Sequence, residues 1–495
     1  MPGMPWSLRS RRVAALLLLL ATTALHAEPD EATPAHVCHE WTGAACSWEP
    51  NLRPMTVSLG ADHNETFYAY VPPDVSTFYN ATAKSYLPLQ TKATGFFGKF
   101  VNLSPHPVKL YFAPVGKNRD LVYMADIEAF GATGTATYPS HKFLVTDPTS
   151  PSTVLHRWTL STDTSLYYYD PLDFDVNKAY ETLSSSQFPF YQLQWQNKVF
   201  AEQYKAFTGT EWLALYKQKE APRFHMWRAD SFGQTHSVTT KEIHFTEFPE
   251  QGELARGTSI YGPRPDEVER VRRHRHQYPT LDLTLTALSC SPRVFEIRNF
   301  LSPVEVEHLR NLIDNVELER SKTQASENSE DTTNDETRTS SQTWIPRATD
   351  IITDAIYKRA ADVLQMDESL LRWRRPTEIP EFSESKIAVS ESLQAVHYAV
   401  GQQYTPHYDF TMPGMVNLQP SRFATILFYL NDNMEGGETS FPRWLNGETP
   451  EALKVKPELG KAILFYNLLP DGNYDERSQH AALPVTEGEK WLTNL

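Results

Sequence analysis

The stretch QYTPHYDF, residues 403–410, sets an imidazole and a carboxylate two positions apart. Side chains two apart leave the same face of an extended strand, so His407 and Asp409 are expected to project together. The pair alone fits a buried strand with satisfied polar groups as well as it fits two thirds of a metal site. His480, in SQHAALPV, is the only histidine after His407 and falls in a segment with strand character. Two histidines and one carboxylate on one face are the donor set of a non-haem iron(II) centre, which leaves the opposite coordination positions open. Lys490 follows the turn TEGE, and a hairpin there is expected to return strand 490–495 alongside the His480 strand. A lysine directed into a pocket beside a metal is costly to bury unless an anion neutralises it. A dicarboxylate that chelates the metal at one end and reaches the lysine at the other meets that need.

The elements that must position these residues read as an α+β unit over residues 285–495. SPRVFEIRNF reads as a strand, and the following helix is capped by Ser302. From Ser321 to Thr337 the only apolar residue is Ala325, the composition of a mobile loop. An amphipathic helix, TDIITDAIYKRAADVL, then leads into alternating strands that run to the C-terminus. Helices followed by many strands predict a double-stranded β-helix, or jelly roll, with flanking helices. Tyr408 is expected on the face opposite the ligands, as packing.

Upstream, residues 28–160 are β-rich. FFGKFVNLSP, VKLYFAPVG, LVYMADIEAF and HKFLVTD are short aromatic or branched runs punctuated by turn residues, which suggests a small sandwich. Residues 161–284 read as a partly helical connector, with KAYETLSS and NKVFAEQYKAF at helical spacing and a polar run, RPDEVERVRRHRHQYP, beyond them. Arg270–Arg273 in that run has the pattern of a basic processing site; a solvated linker is the plainer reading. His274 and His276 share the run and are poor metal candidates.

With 46 basic and 61 acidic residues the net charge is −15, a sign that argues against nucleic-acid or anionic-lipid partners. Three arginines precede the apolar run Val13–Ala27, so residues 1–27 read as a secretory signal or a signal anchor; a membrane association is expected only if the segment is retained. The run is shorter than the roughly 20 residues a span requires. Sequons at Asn64, Asn80 and Asn102 fit a secretory lumen, of the endoplasmic reticulum or the Golgi. Cys38 and Cys46 could close a small loop in such a compartment and leave Cys290 over, while no C-x-x-C supports structural zinc.

From Cys290 to Leu495 the sequence resembles the catalytic domain of prolyl 4-hydroxylases, the iron(II)- and 2-oxoglutarate-dependent oxygenases. The resemblance is carried, in order, by RTSSQTW, LQAVHYAVGQQYTPHYDF, RFATILFYLN, GGETSFPR, GKAILFYNLLPDGNYDERSQHAALPV and GEKW. It implies that His407, Asp409 and His480 ligate Fe(II). Lys490, helped by Tyr398 and Thr439, would hold the distal carboxylate of 2-oxoglutarate. Tyr404, Arg422 and Glu391 match positions that contact a proline-containing peptide, and Arg338 and Trp344 flank a segment that resembles a lid. The lysine at 490 is similar to prolyl 4-hydroxylases rather than to relatives with arginine there, and the aspartate at 409 to hydroxylases rather than halogenases. The implied reaction is hydroxylation of a peptidyl proline at C4, coupled to decarboxylation of 2-oxoglutarate by O2 to succinate and CO2, with L-ascorbate as a reductant. The family's final strand continues for several residues, with a further aromatic near the pocket; this chain stops at TNL, residue 495.

Separately, FVNLSPHPVKLYF and ATYPSHKFLVTD resemble the β-domain of the von Hippel–Lindau protein, which implies a packing module, or a recognition module able to take a protein partner. Two other readings stand beside the leading one. The first is a 2-oxoglutarate-dependent hydroxylase of a different side chain. The second is a binding protein with an idle oxygenase fold.

Overall fold

The computed structural model describes residues 49–59, 63–72, 95–116, 120–150, 152–215, 217, 224–242, 244–254, 281–321, 337–373, 389–410, 421–446 and 449–495. The N-terminal apolar run, Cys38, Cys46, Asn80 and the basic run 270–273 with His274 and His276 lie outside these residues, as does most of the polar tract after Ser321.

The C-terminal strands build two principal sheets, and every pairing within them is antiparallel. The larger has nine strands in the order Thr235–Thr239, Asp282–Cys290, Arg293–Ile297, Ala462–Tyr466, Ala424–Tyr429, Lys490–Asn494, Leu393–Tyr398, Ser341–Ile345 and Glu319–Arg320. The smaller has four, in the order Tyr404–His407, His480–Ala482, Thr439–Phe441 and Leu453–Val455. Alternation along the central strands gives the larger sheet two apolar faces. Ile426, Phe428, Leu464 and Trp491 enter a cluster with the helices, whereas Leu427, Tyr429, Phe465 and Leu492 enter a second cluster with Phe441 and Val455 of the smaller sheet. The second cluster is the jelly-roll interior.

One connection differs from expectation. After the turn at residue 488 the final strand pairs with Leu393–Tyr398 and Ala424–Tyr429, not with the His480 strand. A short strand, Val485–Glu487, comes between and pairs with Glu435–Gly436. The chain therefore crosses from one sheet to the other, and Lys490 reaches the interior from the wall opposite His480. Lys490 shares the face of Leu492, two residues on.

Two helices back the larger sheet. Pro303–Asp314 starts at a capping box in which the Ser302 hydroxyl accepts from the Glu305 amide and the Glu305 side chain accepts from the Ser302 amide. Ile351–Leu364 is buried along its whole length apart from Asp362, not on one face only as its sequence suggests. Its outer side is covered by residues from the connector: the Trp227 indole donates to the Val363 carbonyl at 2.6 Å, and the Lys241 amide to Asp362 at 2.7 Å. Strand Thr235–Thr239 from the same stretch extends the sheet. Arg359 and Glu305, both fully buried, join the helices, with Arg359 Nη2 to Glu305 Oε1 at 2.7 Å and Nη1 to Oε2 at 2.9 Å.

Upstream, Leu52–Ser58 and Asn64–Tyr70 pair as a hairpin. Strands between Phe96 and Tyr169 form a three-stranded and a four-stranded sheet that share a core of Phe96, Phe100, Leu110, Phe143 and Val145. Of these strands Ala132–Thr137, Val154–Thr159 and Leu166–Tyr169 carry no strong apolar alternation and were not foreseen. Helix Phe188–Thr208 packs the hairpin through Phe200, Ala201 and Tyr204. Asn102 is fully buried, and its amide donates to the carbonyls of His106, Ile127 and Glu128. That engagement takes the third sequon out of reach of a glycan.

Arg359→Ala would leave the Glu305 carboxyl in the core without its guanidinium partner. Equilibrium denaturation should show a loss of about 3–5 kcal/mol, the usual range for breaking one half of a buried ion pair.

Candidate functional site

Two short strands bring the histidines together. His407 and His480 are direct partners in the antiparallel ladder, with ring centroids 4.3 Å apart. The ladder ends at His407, and Asp409 stands in the bend beyond it. The carboxylate therefore converges on the histidines through a change of backbone direction, not through the strand pleat predicted for the pair. Asp409 Oδ1 lies 3.9 Å from His407 Nε2, and Oδ2 lies 3.8 Å from His480 Nε2. The ligand atoms of the three residues all fall within 4.8 Å of one another, a group that could hold one metal ion.

The hydrogen bonds around the group fix which atoms are free to ligate. His407 Nδ1 lies 2.9 Å from the Thr405 carbonyl, and His480 Nδ1 lies 3.1 Å from the Ser478 carbonyl. A carbonyl only accepts, so both rings donate from Nδ1 and keep the Nε2 lone pair for the metal. Asp409 is held at both oxygens, Oδ2 accepting from the Thr425 hydroxyl at 2.8 Å and Oδ1 from Arg422 Nη1 at 3.2 Å. Asn467 donates to the Thr425 oxygen at 3.0 Å and orients that hydroxyl. Burial pushes the Asp409 carboxyl upward, but the facing His480, Arg422, His407 and Thr425 outweigh it and hold the group well below the usual carboxylate range. Burial, and then the neighbouring His480, holds His407 far below the ordinary imidazole value. A neutral imidazole and an ionised carboxylate are the forms that bind a metal.

The jelly-roll interior carries a second charge. Lys490 is 0 % exposed, and its Nζ has no hydrogen-bond partner among the described residues. It lies 5.4 Å from the Tyr398 ring centroid and 5.7 Å from that of Tyr429. Tyr398 faces Lys490 across the ladder, and the Tyr429 hydroxyl donates to Thr439 Oγ1 at 2.7 Å. Gly437, at φ +69°, makes the space: a Cβ there would stand 3.3 Å from Lys490 Cδ. Phe465 and Phe441 of the same cluster pack on His480 at 4.6 and 5.9 Å between centroids. Lys490, Tyr398 and Thr439 thus line the apolar interior that the histidine group closes at one side. Burial pulls the ammonium down to about 7.

Around the rim, Tyr404 stacks on His407 at 3.5 Å between centroids, and the Arg338 guanidinium lies over the Tyr404 ring at 4.7 Å. Arg422 is engaged with Glu391 through Nε at 2.5 Å and Nη2 at 2.9 Å, as well as with Asp409. Trp344 is 44 % exposed on strand Ser341–Ile345, opposite Gln394 and on an outer strand of the larger sheet. Sequence reasoning missed Thr425, Asn467 and Tyr429. A threonine or tyrosine in a strand, or an asparagine just past one, carries no signal of its own until the fold shows which partner it meets.

Thr425→Val should keep the fold and weaken metal binding about 10–100-fold, the usual cost of removing a partner that orients a ligand. Titration with Co(II), read by ligand-field absorption, measures it.

Residues 393–495 match the model of the 2OG-Fe(II) oxygenase superfamily. A probable prolyl 4-hydroxylase 6 of Arabidopsis thaliana is 36% identical over 220 residues, which cover 42% of this chain and 69% of the relative. Prolyl 4-hydroxylase 5 of the same plant is 34% identical over 217 residues, 41% of this chain and 67% of the relative. Among solved structures, the viral collagen prolyl hydroxylase from Paramecium Bursaria Chlorella virus-1 aligns at 26% identity over 41% of this chain and 93% of that one, with a TM-score of 0.29. The oxygenase match falls on the segment that carries His407, Asp409, His480 and Lys490. This chain belongs to the prolyl 4-hydroxylase family and is a 2-oxoglutarate-dependent proline hydroxylase.

Proposed function

We propose that the protein hydroxylates C4 of proline in a polypeptide substrate within the secretory pathway. One observation carries the reading: a buried lysine amine with no hydrogen-bond partner among the described residues shares one apolar interior with a His–Asp–His group. An unpaired buried ammonium is unfavourable in the free protein and becomes an asset when an anion enters. The donor set fits iron(II), since two neutral imidazoles and one carboxylate leave a face open. When bound, iron(II) with 2-oxoglutarate and O2 supplies the oxidation, and 2-oxoglutarate is released as succinate and CO2.

The chain's own residues bind, orient and exclude water. Lys490 pairs with the distal carboxylate of 2-oxoglutarate, which removes the cost of its burial. The Thr439 and Tyr398 hydroxyls stand beside that anion, while Phe441 and Phe465 keep water from the metal side. Tyr404 and Arg338 form one rim for the peptide, and Arg422 with Glu391 forms the other. Glu391 anchors the arginine, and the arginine keeps Asp409 ionised for the metal. Trp344, on an outer strand, takes part only if the segment it begins folds over the peptide. Ascorbate serves as the reductant that restores iron(II).

The lumenal assignment rests on the apolar run before Glu28 and on the sequon at Asn64, which is exposed at the end of its hairpin strand. The upstream β-module is a candidate surface for a protein partner.

Mass spectrometry of proline-rich peptides incubated with the protein, iron(II) and 2-oxoglutarate should show the gain of one oxygen on proline and one succinate per turnover. Full turnover by His407→Ala would sink the metal assignment. The lysine adds a pH dependence with a fixed sign. The anion binds the protonated amine, which is present below about pH 7 and lost above it in the empty pocket. The KM for 2-oxoglutarate should therefore climb above pH 7, approaching about tenfold per pH unit, with uptake of a proton on binding. Lys490→Ala should raise the KM and flatten that climb.

A further inference from the structure

The two residues flanking Asp409 are aromatic, and both pack on a ring from outside the oxygenase sheets. Phe97, on strand Phe96–Asn102 of the upstream module, meets Tyr408 edge-on at 5.3 Å and 86°, and Phe410 at 5.1 Å and 74°. Phe97 and Phe410 are each 4 % exposed and belong to one apolar cluster. A polar circuit runs beside the rings. The Phe97 amide donates to Glu476 Oε1 at 3.0 Å, Glu476 pairs with Arg443 Nη2 at 2.9 Å, and Arg443 Nη1 donates to the Tyr408 hydroxyl at 2.9 Å. The circuit begins and ends on the same pair of residues, Phe97 and Tyr408.

The place of the Phe97 ring is itself specified. Gly134, on the neighbouring strand Ala132–Thr137, lies beneath it, and a Cβ at Gly134 would stand 2.3 Å from Phe97 Cζ and 2.5 Å from Cε1. Any larger residue at 134 has to push the ring away. Asp409, for its part, lies past the last ladder residue, so strand pairing does not set its backbone direction. Rings on both neighbours, pinned against one partner, restrict rotation of the 408–410 backbone.

We propose that Phe97 is a positioning residue of the metal centre: the upstream β-module holds residues 408–410, and through them the Asp409 carboxylate, in ligating position. The inference rests on reading His407, Asp409 and His480 as metal ligands. It makes the upstream module a working part of the catalytic unit, in addition to any partner it binds.

The test uses the full-length protein with Co(II) as the probe, affinity read from ligand-field absorption and backbone mobility from amide hydrogen exchange over 404–410. Phe97→Ala should weaken Co(II) binding about tenfold, the low end for residues supporting a ligand, and should speed exchange at 408–410. Phe97→Leu should recover part of the affinity. Gly134→Ala, which displaces the ring without touching the oxygenase sheets, should reproduce both effects. Phe143→Ala empties a comparable place in the core of the same module, where Phe143 packs on Phe100 at 4.8 Å. It should lower thermal stability and leave Co(II) affinity unchanged. Wild-type affinity in folded Phe97→Leu and Gly134→Ala would overturn the proposal, whether or not Phe97→Ala folds. An equal loss of affinity in Phe143→Ala would also overturn it. Failure of the unmodified protein to bind Co(II) would overturn the metal centre instead.

Discussion

A carboxylate removed from water costs several kcal/mol unless charges and hydrogen bonds replace its hydration. Asp409 is largely covered where a strand has just ended, so little water and no backbone ladder support it. The surrounding chain can be read as the answer to that cost. Strand Ala424–Tyr429 supplies the Thr425 hydroxyl and Arg422 supplies a guanidinium, while the paired strands of His407 and His480 set two imidazoles beside the carboxylate to share a cation with it. Arg422, which Glu391 anchors from its other side, helps keep the carboxyl ionised, the form that takes a cation and not a proton.

The same interior is balanced by a second unfavourable burial of opposite sign. Lys490 could have been a leucine as far as packing is concerned, since Leu492 occupies the same face of the same strand. Its ammonium instead sits among tyrosines whose rings stabilise it weakly, with the Tyr429 hydroxyl engaged on Thr439. A cation site and an isolated ammonium on opposite walls are complementary to one ligand, a short dianion that also chelates. Family membership and the physical reading of the pocket reach the same cosubstrate from independent observations.

Much of this was legible in the sequence because the signals were local or came as ordered blocks. The Ser302 cap, the strand alternation and the His407, Asp409, His480 and Lys490 set all announce themselves through residue type and spacing. What escaped was set by contacts distant in sequence. The strand of Lys490 was expected beside that of His480, because a tight turn usually joins ladder partners; in a jelly roll the turn carries the chain across to the opposite sheet. Helix Ile351–Leu364 reads as amphipathic, yet a connector more than a hundred residues upstream covers its polar side. Thr425 and Asn467 are unremarkable strand and loop residues until Asp409 arrives next to them. Phe97 reads as one aromatic in an unrelated β-module, and only the fold sets it against Tyr408 and Phe410.

A pocket that holds iron(II) on His407, Asp409 and His480 and draws 2-oxoglutarate in by the charge of Lys490 would have a spectroscopic signature. Anaerobic titration of the iron(II)-loaded protein with 2-oxoglutarate tests it directly, through the visible charge-transfer absorption of the chelate. The account predicts a band that saturates at one equivalent per chain, moves to much higher 2-oxoglutarate concentration in Lys490→Ala, and is absent in His407→Ala. No band in the unmodified protein, or an unchanged titration in Lys490→Ala, would contradict it.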